Sequence, residues 1–237
     1  MKLLIHQNKR FLWKEKDMHT NLGTIKESVI KKAKPGSIIK SNLKKEFLVL
    51  DSLFIDRVKK IKRGPAIIQP KDIGLILTLT GITKESTVFE AGTGSGFMTS
   101  FLSNFCKKVI SYERKKEFFE LAKKNINYLN LKNVELKNKD VYEKITEKKV
   151  DLIVLDLPEP WQAINNAYKT LKPSHFLVCY LPTITQVMNL IQKSKNKFFH
   201  ETTIELIERP WHVEDKIVRP KSDYIPHTAF LVFLRKI

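Results

Sequence analysis

Glu90-Ala91-Gly92-Thr93-Gly94-Ser95-Gly96 is the stretch whose reading decides the fold. It follows a strand-like run, Thr87-Val88-Phe89-Glu90, and precedes Phe97 to Phe105, which reads as a helix. A strand that stops at a glycine turn before a helix lets backbone amides approach a ligand with no β-carbon in the way. Such turns lie at the carboxyl edge of a parallel sheet, where α/β proteins bind small molecules. The pattern is E-x-G-x-G-x-G rather than the G-x-G-x-x-G of dinucleotide binders, and it carries an acidic residue on the strand itself. One glycine would be an ordinary turn; three in register point to a binding loop.

Working outward, strand and helix patterns alternate from Gly64 to the end. A helix over Lys71 to Leu79 precedes the glycine strand. After it come strand Lys108–Tyr112, helix Lys116–Tyr128, strand Val134–Lys137 and strand Val150–Leu155. Helix Trp161–Leu171, strand Phe176–Leu181 and helix Thr185–Lys193 follow. Strands near Thr203–Ile207 and Ala229–Leu234 read as an antiparallel hairpin closing one edge. Repeated strand–helix units imply right-handed crossovers and a parallel sheet, so the fold class is α/β.

The first 63 residues differ. Leu3-Leu4-Ile5, Phe11-Leu12-Trp13, Ser37-Ile38-Ile39 and Glu46–Leu50 read as short strands, Pro35-Gly36 as a turn and His19–Ile25 as a tight connection. A helix is expected from Asp51 with Phe54, Val58 and Ile61 on one face, ending in the basic run Lys59-Lys60-Ile61-Lys62-Arg63. The predicted organisation is a small basic β module with a linking helix over 1–63 and a larger domain over 64–237.

Composition narrows the partners. The chain has 237 residues, 42% of them hydrophobic, enough for one large core and a small appendage. Its 43 Lys and Arg against 25 Asp and Glu give a net charge of +18. Residues 1–63 hold 17 basic and 6 acidic side chains, a net of +11. A lysine-rich composition of thermal or genomic origin raises Glu in step, and here Glu does not follow, which favours a nucleic-acid partner. No apolar run approaches the roughly 20 residues of a membrane span, and no secretory signal opens the chain. Cys106 and Cys179 sit in apolar segments without metal-ligand spacing, as expected of buried free thiols in a reducing cytosol. No metal site is expected.

Four successive strands end in a carboxylate, Glu90, Glu113, Asp140 and Asp156, and these side chains would gather beside the glycine loop. Glu113 lies 23 residues after Glu90, near the roughly 20-residue spacing at which an acid reaches ribose hydroxyls. Asp156 opens Asp156-Leu157-Pro158-Glu159-Pro160-Trp161, a loop stiffened by two prolines. Trp161 suits either stacking on a base or an ordinary place at the start of a helix.

The glycine stretch resembles motif I of the class I S-adenosylmethionine-dependent methyltransferases, whose fold is Rossmann-like. Gln69-Pro70-Lys71-Asp72, Ser111-Tyr112-Glu113, Asp156–Trp161, Tyr180-Leu181-Pro182 with Thr185-Gln186-Val187, and Arg219-Pro220 with His227-Thr228-Ala229-Phe230 extend the likeness. In that order they resemble the tRNA adenine N-1 methyltransferase family, which modifies the T-loop adenine at tRNA position 58, some archaeal members also its neighbour. The resemblance covers essentially the whole chain. It implies that Ile68, Gly92, Gly94, Ser95, Gly96, Phe97, Glu113, Asp140, Val141 and Asp156 surround S-adenosyl-L-methionine. Asp156 would also be catalytic, touching the target base. It further implies a tRNA substrate and a homotetramer. Many relatives place Tyr or His before Pro70; Gln69 can hydrogen-bond there but stacks poorly. Two alternatives stand beside this reading. Protein isoaspartate methyltransferase shares the glycine loop and a Tyr-Glu-Arg segment but does not explain Asp156–Trp161. A non-catalytic tRNA-binding subunit would tend to lose the glycine loop and acidic strand ends, both present here.

Overall fold

The alternation of patterns after Gly64 builds a seven-stranded sheet whose order fixes where a ligand can bind. The structure is a computed structural model that describes residues 1–64 and 66–237. By its internal packing the chain divides into Met1–Ile61 and Lys62–Ile237.

In the first unit, strands β1 (Lys2–His6), β2 (Lys9–Trp13), β5 (Ile38–Lys40) and β6 (Glu46–Asp51) form an antiparallel sheet ordered β2-β1-β6-β5. Between them come a small hairpin, β3 (Met18–Thr20) and β4 (Gly23–Ile25), and the helix α1 (Glu27–Lys32). Period-two alternation sends Leu4, Phe47 and Val49 inward, where they meet Trp13, Ile25 and Ile30. Helix α1 was not expected: six residues with one buried side chain, Ile30, carry too little periodicity to be seen. The expected helix from Asp51 is also shorter. Asp51 ends β6, and α2 spans only Phe54–Val58, with Asp56 accepting from the Leu53 amide at 2.9 Å. Beyond it the ladder tightens to three-residue bonds from Lys60 and Ile61. The basic run therefore lies past the helix rather than forming its end.

In the second unit the elements are α3 (Pro70–Thr80), β7 (Thr87–Ala91), α4 (Phe97–Phe105), β8 (Lys108–Tyr112), α5 (Lys116–Leu129), β9 (Val134–Lys137) and β10 (Val150–Leu155). A 3₁₀ turn (Pro160–Ala163), α6 (Ile164–Thr170), β11 (Leu171–Leu181), α7 (Ile184–Ser194) and β12 (Phe198–Glu205) follow. The last three are β13 (Trp211–Glu214), β14 (Ile217–Pro220) and β15 (Phe230–Lys236). The sheet order is β12-β15-β11-β10-β7-β8-β9, parallel from β11 to β9 and antiparallel at β15. The chain enters at β7, runs outward to β9, then returns to the other side of β7 with β10. The β7/β10 boundary is thus the switch point, where a crevice opens at the strand ends. Phe89, Ile153, Leu177, Cys179 and Leu234 are among the fully buried side chains that glue the sheet to its helices.

Two expectations need correction here. The helix over Trp161–Leu171 is broken, because Pro160 opens a 3₁₀ turn and Leu171 already belongs to β11. Strands β12 and β15 do pair antiparallel, but the unforeseen β13–β14 ribbon is inserted between them. That ribbon leaves Trp211, Val213, Ile217 and Val218 more than half exposed. Both cysteines are free and buried. Among the described residues no helix is long and apolar enough to cross a membrane.

Candidate active site

The glycine turn after β7 is shaped by close backbone approach. Gly92 has φ +93°, and a β-carbon there would collide with the carbonyl oxygen of Asp156. The Asp156 amide in turn donates to the Ala91 carbonyl at 3.0 Å, so the turns after β7 and β10 are locked edge to edge. The Gly94 amide donates to Glu113 Oε2 at 3.0 Å, and the Lys115 amide to Glu113 Oε1 at 2.9 Å. One carboxylate at the end of β8 therefore holds the glycine turn from the neighbouring strand.

Four acids converge on the crevice, in different states. Glu90 is buried and accepts from Thr99 Oγ1 at 2.5 Å. Burial pushes its carboxyl up to about 7, the Thr99 and Ser111 hydroxyls resist the rise, and the charges of Asp156 and Glu113 add to it. Asp156 is also pushed up to about 7, by burial first and then by the Glu113 charge, with no hydrogen bond among the described residues to relieve it. Asp140 is tied locally: Oδ1 accepts from the Tyr142 amide at 2.9 Å, and Arg114 Nη1 stands 3.8 Å from Oδ2.

These groups line one cavity of about 570 Å³, large enough for a nucleoside-sized ligand. Ile68, Gly92, Gly94, Ser95, Phe97, Glu113, Asp140, Val141 and Asp156 all face it, as do Glu90 and Gln69. Gly96 is not on its wall. With φ +76° it forms the N-cap of α4, where its α-carbon faces Ala122 and Ile126 of α5. Trp161 is likewise off the wall and packs, half-buried, on the core at the start of the 3₁₀ turn. Ser95 Oγ is buried and has no hydrogen-bond partner among the described residues, leaving a polar group free for a ligand.

Several wall residues were not singled out from sequence. Tyr142, Tyr180, His227 and Thr228 enter from β9–β10, β11 and the segment before β15. Both ring nitrogens of His227 face acceptors, Nδ1 toward Glu205 Oε1 at 2.5 Å and Nε2 toward the Pro182 carbonyl at 2.9 Å. Those two bonds raise its pKa above the usual histidine value. Behind the wall, Asp72 is fully buried at the start of α3 and holds Lys71, Thr228 and Tyr180. Tyr180 and His227-Thr228 stood in the quoted motifs, but nothing in the sequence told which of their neighbours faced the crevice.

An acceptor carboxylate beside a glycine turn at a sheet switch point fits a nucleoside ligand and a second, aminated ring. Comparison with known proteins agrees. A family model described as "tRNA methyltransferase complex GCD14 subunit" matches residues 60–227. The chain belongs to that family. A tRNA (adenine(57)-N(1)/adenine(58)-N(1))-methyltransferase TrmI from Methanocaldococcus jannaschii is 37% identical, over 99% of this chain and 94% of its own length. Among solved structures, a SAM-dependent O-methyltransferase from Thermotoga maritima superposes with a TM-score of 0.90 at 30% identity, covering 100% of this chain and 92% of its own. The tRNA (m1A58) methyltransferase TrmI from Aquifex aeolicus superposes with a TM-score of 0.86 at 28% identity, covering 100% and 96%. The fold is that of the S-adenosylmethionine-dependent methyltransferases, with an N-terminal antiparallel β unit.

Proposed function

We propose that this family member transfers a methyl group from S-adenosylmethionine to N1 of adenine in the T-loop of tRNA. The observation that carries the reading is Asp156. Its side chain accepts no hydrogen bond among the described residues, and its backbone bond to Ala91 fixes it at the mouth of the glycine turn.

The cavity fits the cofactor through its donor and acceptor set. Glu113 would accept from a vicinal diol, since a carboxylate accepts two hydrogen bonds, and Asp140 from an exocyclic adenine amine. Ser95 Oγ, orphaned and buried, is a waiting partner for a polar group of the same ligand. When bound, S-adenosylmethionine supplies an electrophilic methyl group on a sulfonium sulfur. The remaining work belongs to the chain. Adenine N1 has an available lone pair, so no strong base is needed; the base must be unstacked and aligned, which costs a few kcal/mol. Asp156 accepts from the 6-amino group, orients the ring and offsets the positive charge that grows on it. Isoaspartate methylation leaves this acceptor without a task, and a non-catalytic subunit would not need it.

The basic residues of 1–61 supply sequence-independent attraction for the tRNA backbone. The exposed apolar side chains of the β13–β14 ribbon support self-association into a homotetramer. A cytoplasmic location suits a tRNA substrate. Incubating unmodified tRNA with the protein and labelled cofactor, then analysing nucleosides by mass spectrometry, tests the reading. 1-Methyladenosine at the T-loop is expected; an unmethylated tRNA, or label on protein instead, overturns it.

A further inference from the structure

Three asparagines stand behind the cavity without lining it. Asn125, 3% exposed on α5, donates from Nδ2 to the Ser95 and Lys62 carbonyls, each at 2.8 Å, and accepts from the Lys62 amide at 3.1 Å. Asn138, just after β9, donates to the Glu113 carbonyl at 2.7 Å and the Arg114 carbonyl at 3.1 Å. Asn166 on α6 donates to the Val141 carbonyl at 2.9 Å and the Tyr142 carbonyl at 3.4 Å. A carboxamide carries two N–H bonds on one nitrogen, so a single side chain can clip two carbonyls together. The three clips grip the turns that follow β7, β8 and β9. Each does so at or beside one of the cavity-lining residues Ser95, Glu113 and Asp140. The link to Asp140 runs through one rigid peptide plane. The carbonyl of the Val141–Tyr142 peptide goes to Asn166, and its amide, on the opposite side, donates to Asp140 Oδ1 at 2.9 Å.

We propose that Asn125, Asn138 and Asn166 are positioning residues for the cofactor, each fixing the turn from which one residue reaches it. This rests on the reading that the cavity takes S-adenosylmethionine. The clips bond protein to protein, so their worth to the ligand is preorganisation: a turn held in one shape needs no ordering at the moment of binding. With a clip removed, the turn samples shapes that cannot bind, and affinity falls by the fraction that still can. Asn133 supplies the contrast. It clips two carbonyls in the same manner, Ser103 at 2.8 Å and Cys106 at 3.1 Å, but these lie at the end of α4 and off the cavity wall. By the same reasoning its bonds serve the fold alone.

Calorimetric titration with S-adenosylhomocysteine, together with melting curves, tests this on Asn125→Ala, Asn138→Ala, Asn166→Ala and Asn133→Ala. The first three should each weaken binding about five- to tenfold, a competent turn remaining in about a tenth to a fifth of the molecules. Asn133→Ala should lower the melting temperature as they do, yet bind within about twofold of wild type. Two altered ligands identify which turn each clip serves. S-inosylhomocysteine lacks the 6-amine assigned to Asp140, so Asn166→Ala should lose little affinity for it, and Asn138→Ala as much as for the adenosyl compound. The 2′-deoxy form lacks half of the diol assigned to Glu113 and should reverse that order. Losses alike for all ligands, or an equal loss in Asn133→Ala, would reduce the asparagines to parts of the fold and overturn the proposal, with the methyltransferase reading intact. A wild-type protein that does not bind S-adenosylhomocysteine overturns both. Should Asn125→Ala fail to fold, the exposed Asn138 and the half-buried Asn166 decide alone.

Discussion

Asp151 and Asp156 stand at opposite ends of β10, five residues apart, and the protein treats them in opposite ways. Asp151, at the entry end, accepts from the Thr87 amide at 2.7 Å and from Lys172 Nζ at 2.5 Å, with His175 Nε2 3.4 Å away. Burial works against its charge, but the Lys172 bond, the Thr87 amide and the nearby cations outweigh it and hold the carboxyl below its usual range. Asp156, at the exit end, has burial and a like charge and, among the described residues, no hydrogen bond to relieve them. The same side chain on the same strand is spent on stability at one end and kept available for chemistry at the other. Unrelieved burial of a titratable group in a cleft is the physical signature of the functional end.

Replacing each aspartate should expose that division. Asp156→Ala is expected to slow methyl transfer roughly 100-fold or more, in the range seen when a preorganised electrostatic partner is removed. Its melting temperature should not fall, and wild-type turnover by the folded variant would end the assignment. Asp156→Asn keeps an acceptor oxygen and should lie between. Glu113→Ala, beside it, should weaken S-adenosylhomocysteine binding by about 1.5–3 kcal/mol, the worth of hydrogen bonds to a charged group. Calorimetric titration reads this directly, and an unchanged affinity would leave Glu113 only its bonds to Gly94 and Lys115. Asp151→Ala should cost about 1–2 kcal/mol of unfolding free energy, discounted for the partly exposed lysine, while turnover per folded molecule stays the same.

Acidity sharpens the comparison further. The folded pKa of Asp151 is depressed, so its contribution is present above the unfolded value of about 3.9 and lost as pH falls through the lower folded one. The stability deficit of Asp151→Ala should shrink in acid. Asp156 has the opposite sign: its raised pKa favours the fold below the unfolded value, and that contribution is lost as pH rises through about 7. Its ionisation there should favour the cationic cofactor over the neutral product. The affinity of S-adenosylmethionine relative to S-adenosylhomocysteine should rise a few-fold from pH 6 to pH 8 in wild type, as coulombic attraction grows. In Asp156→Asn the ratio should be flatter. A parallel rise in both proteins would assign the titration to Glu90.

Much of this was legible because local pattern and sheet topology agree. Strands β8, β9 and β10 and helix α4 begin and end where the residue pattern places them, and the acids at the strand ends reach one crevice because parallel strands leave no other choice. What escaped notice had a physical reason. Helix α1 and the β13–β14 ribbon are too short for a clear period, and the two prolines read as a stiff loop where Pro160 in fact opens a 3₁₀ turn. Asp72 was invisible as a site residue because its partners Tyr180 and Thr228 lie 108 and 156 residues away in sequence. Gly96 repeats the spacing of Gly92 and Gly94, and its positive φ of +76° also makes it the N-cap of α4, a second task that spacing does not reveal. Spacing records backbone need, not which way that need faces.

Gln186 carries one last consequence. Its Oε1 accepts from the Thr183 amide at 3.2 Å and the Thr183 hydroxyl at 2.8 Å, closing the cap of α7, while its Nε2 donates to the Pro158 carbonyl at 2.9 Å. One amide thus fastens both a helix end and the loop that follows Asp156. Helix ends are the first places to open on warming, long before a domain melts. When the first turn of α7 frays, the loop after Asp156 loses its tether in the same event. Heat should therefore inactivate the enzyme reversibly at temperatures where its sheet is still intact, with the onset set by a helix cap rather than by the core.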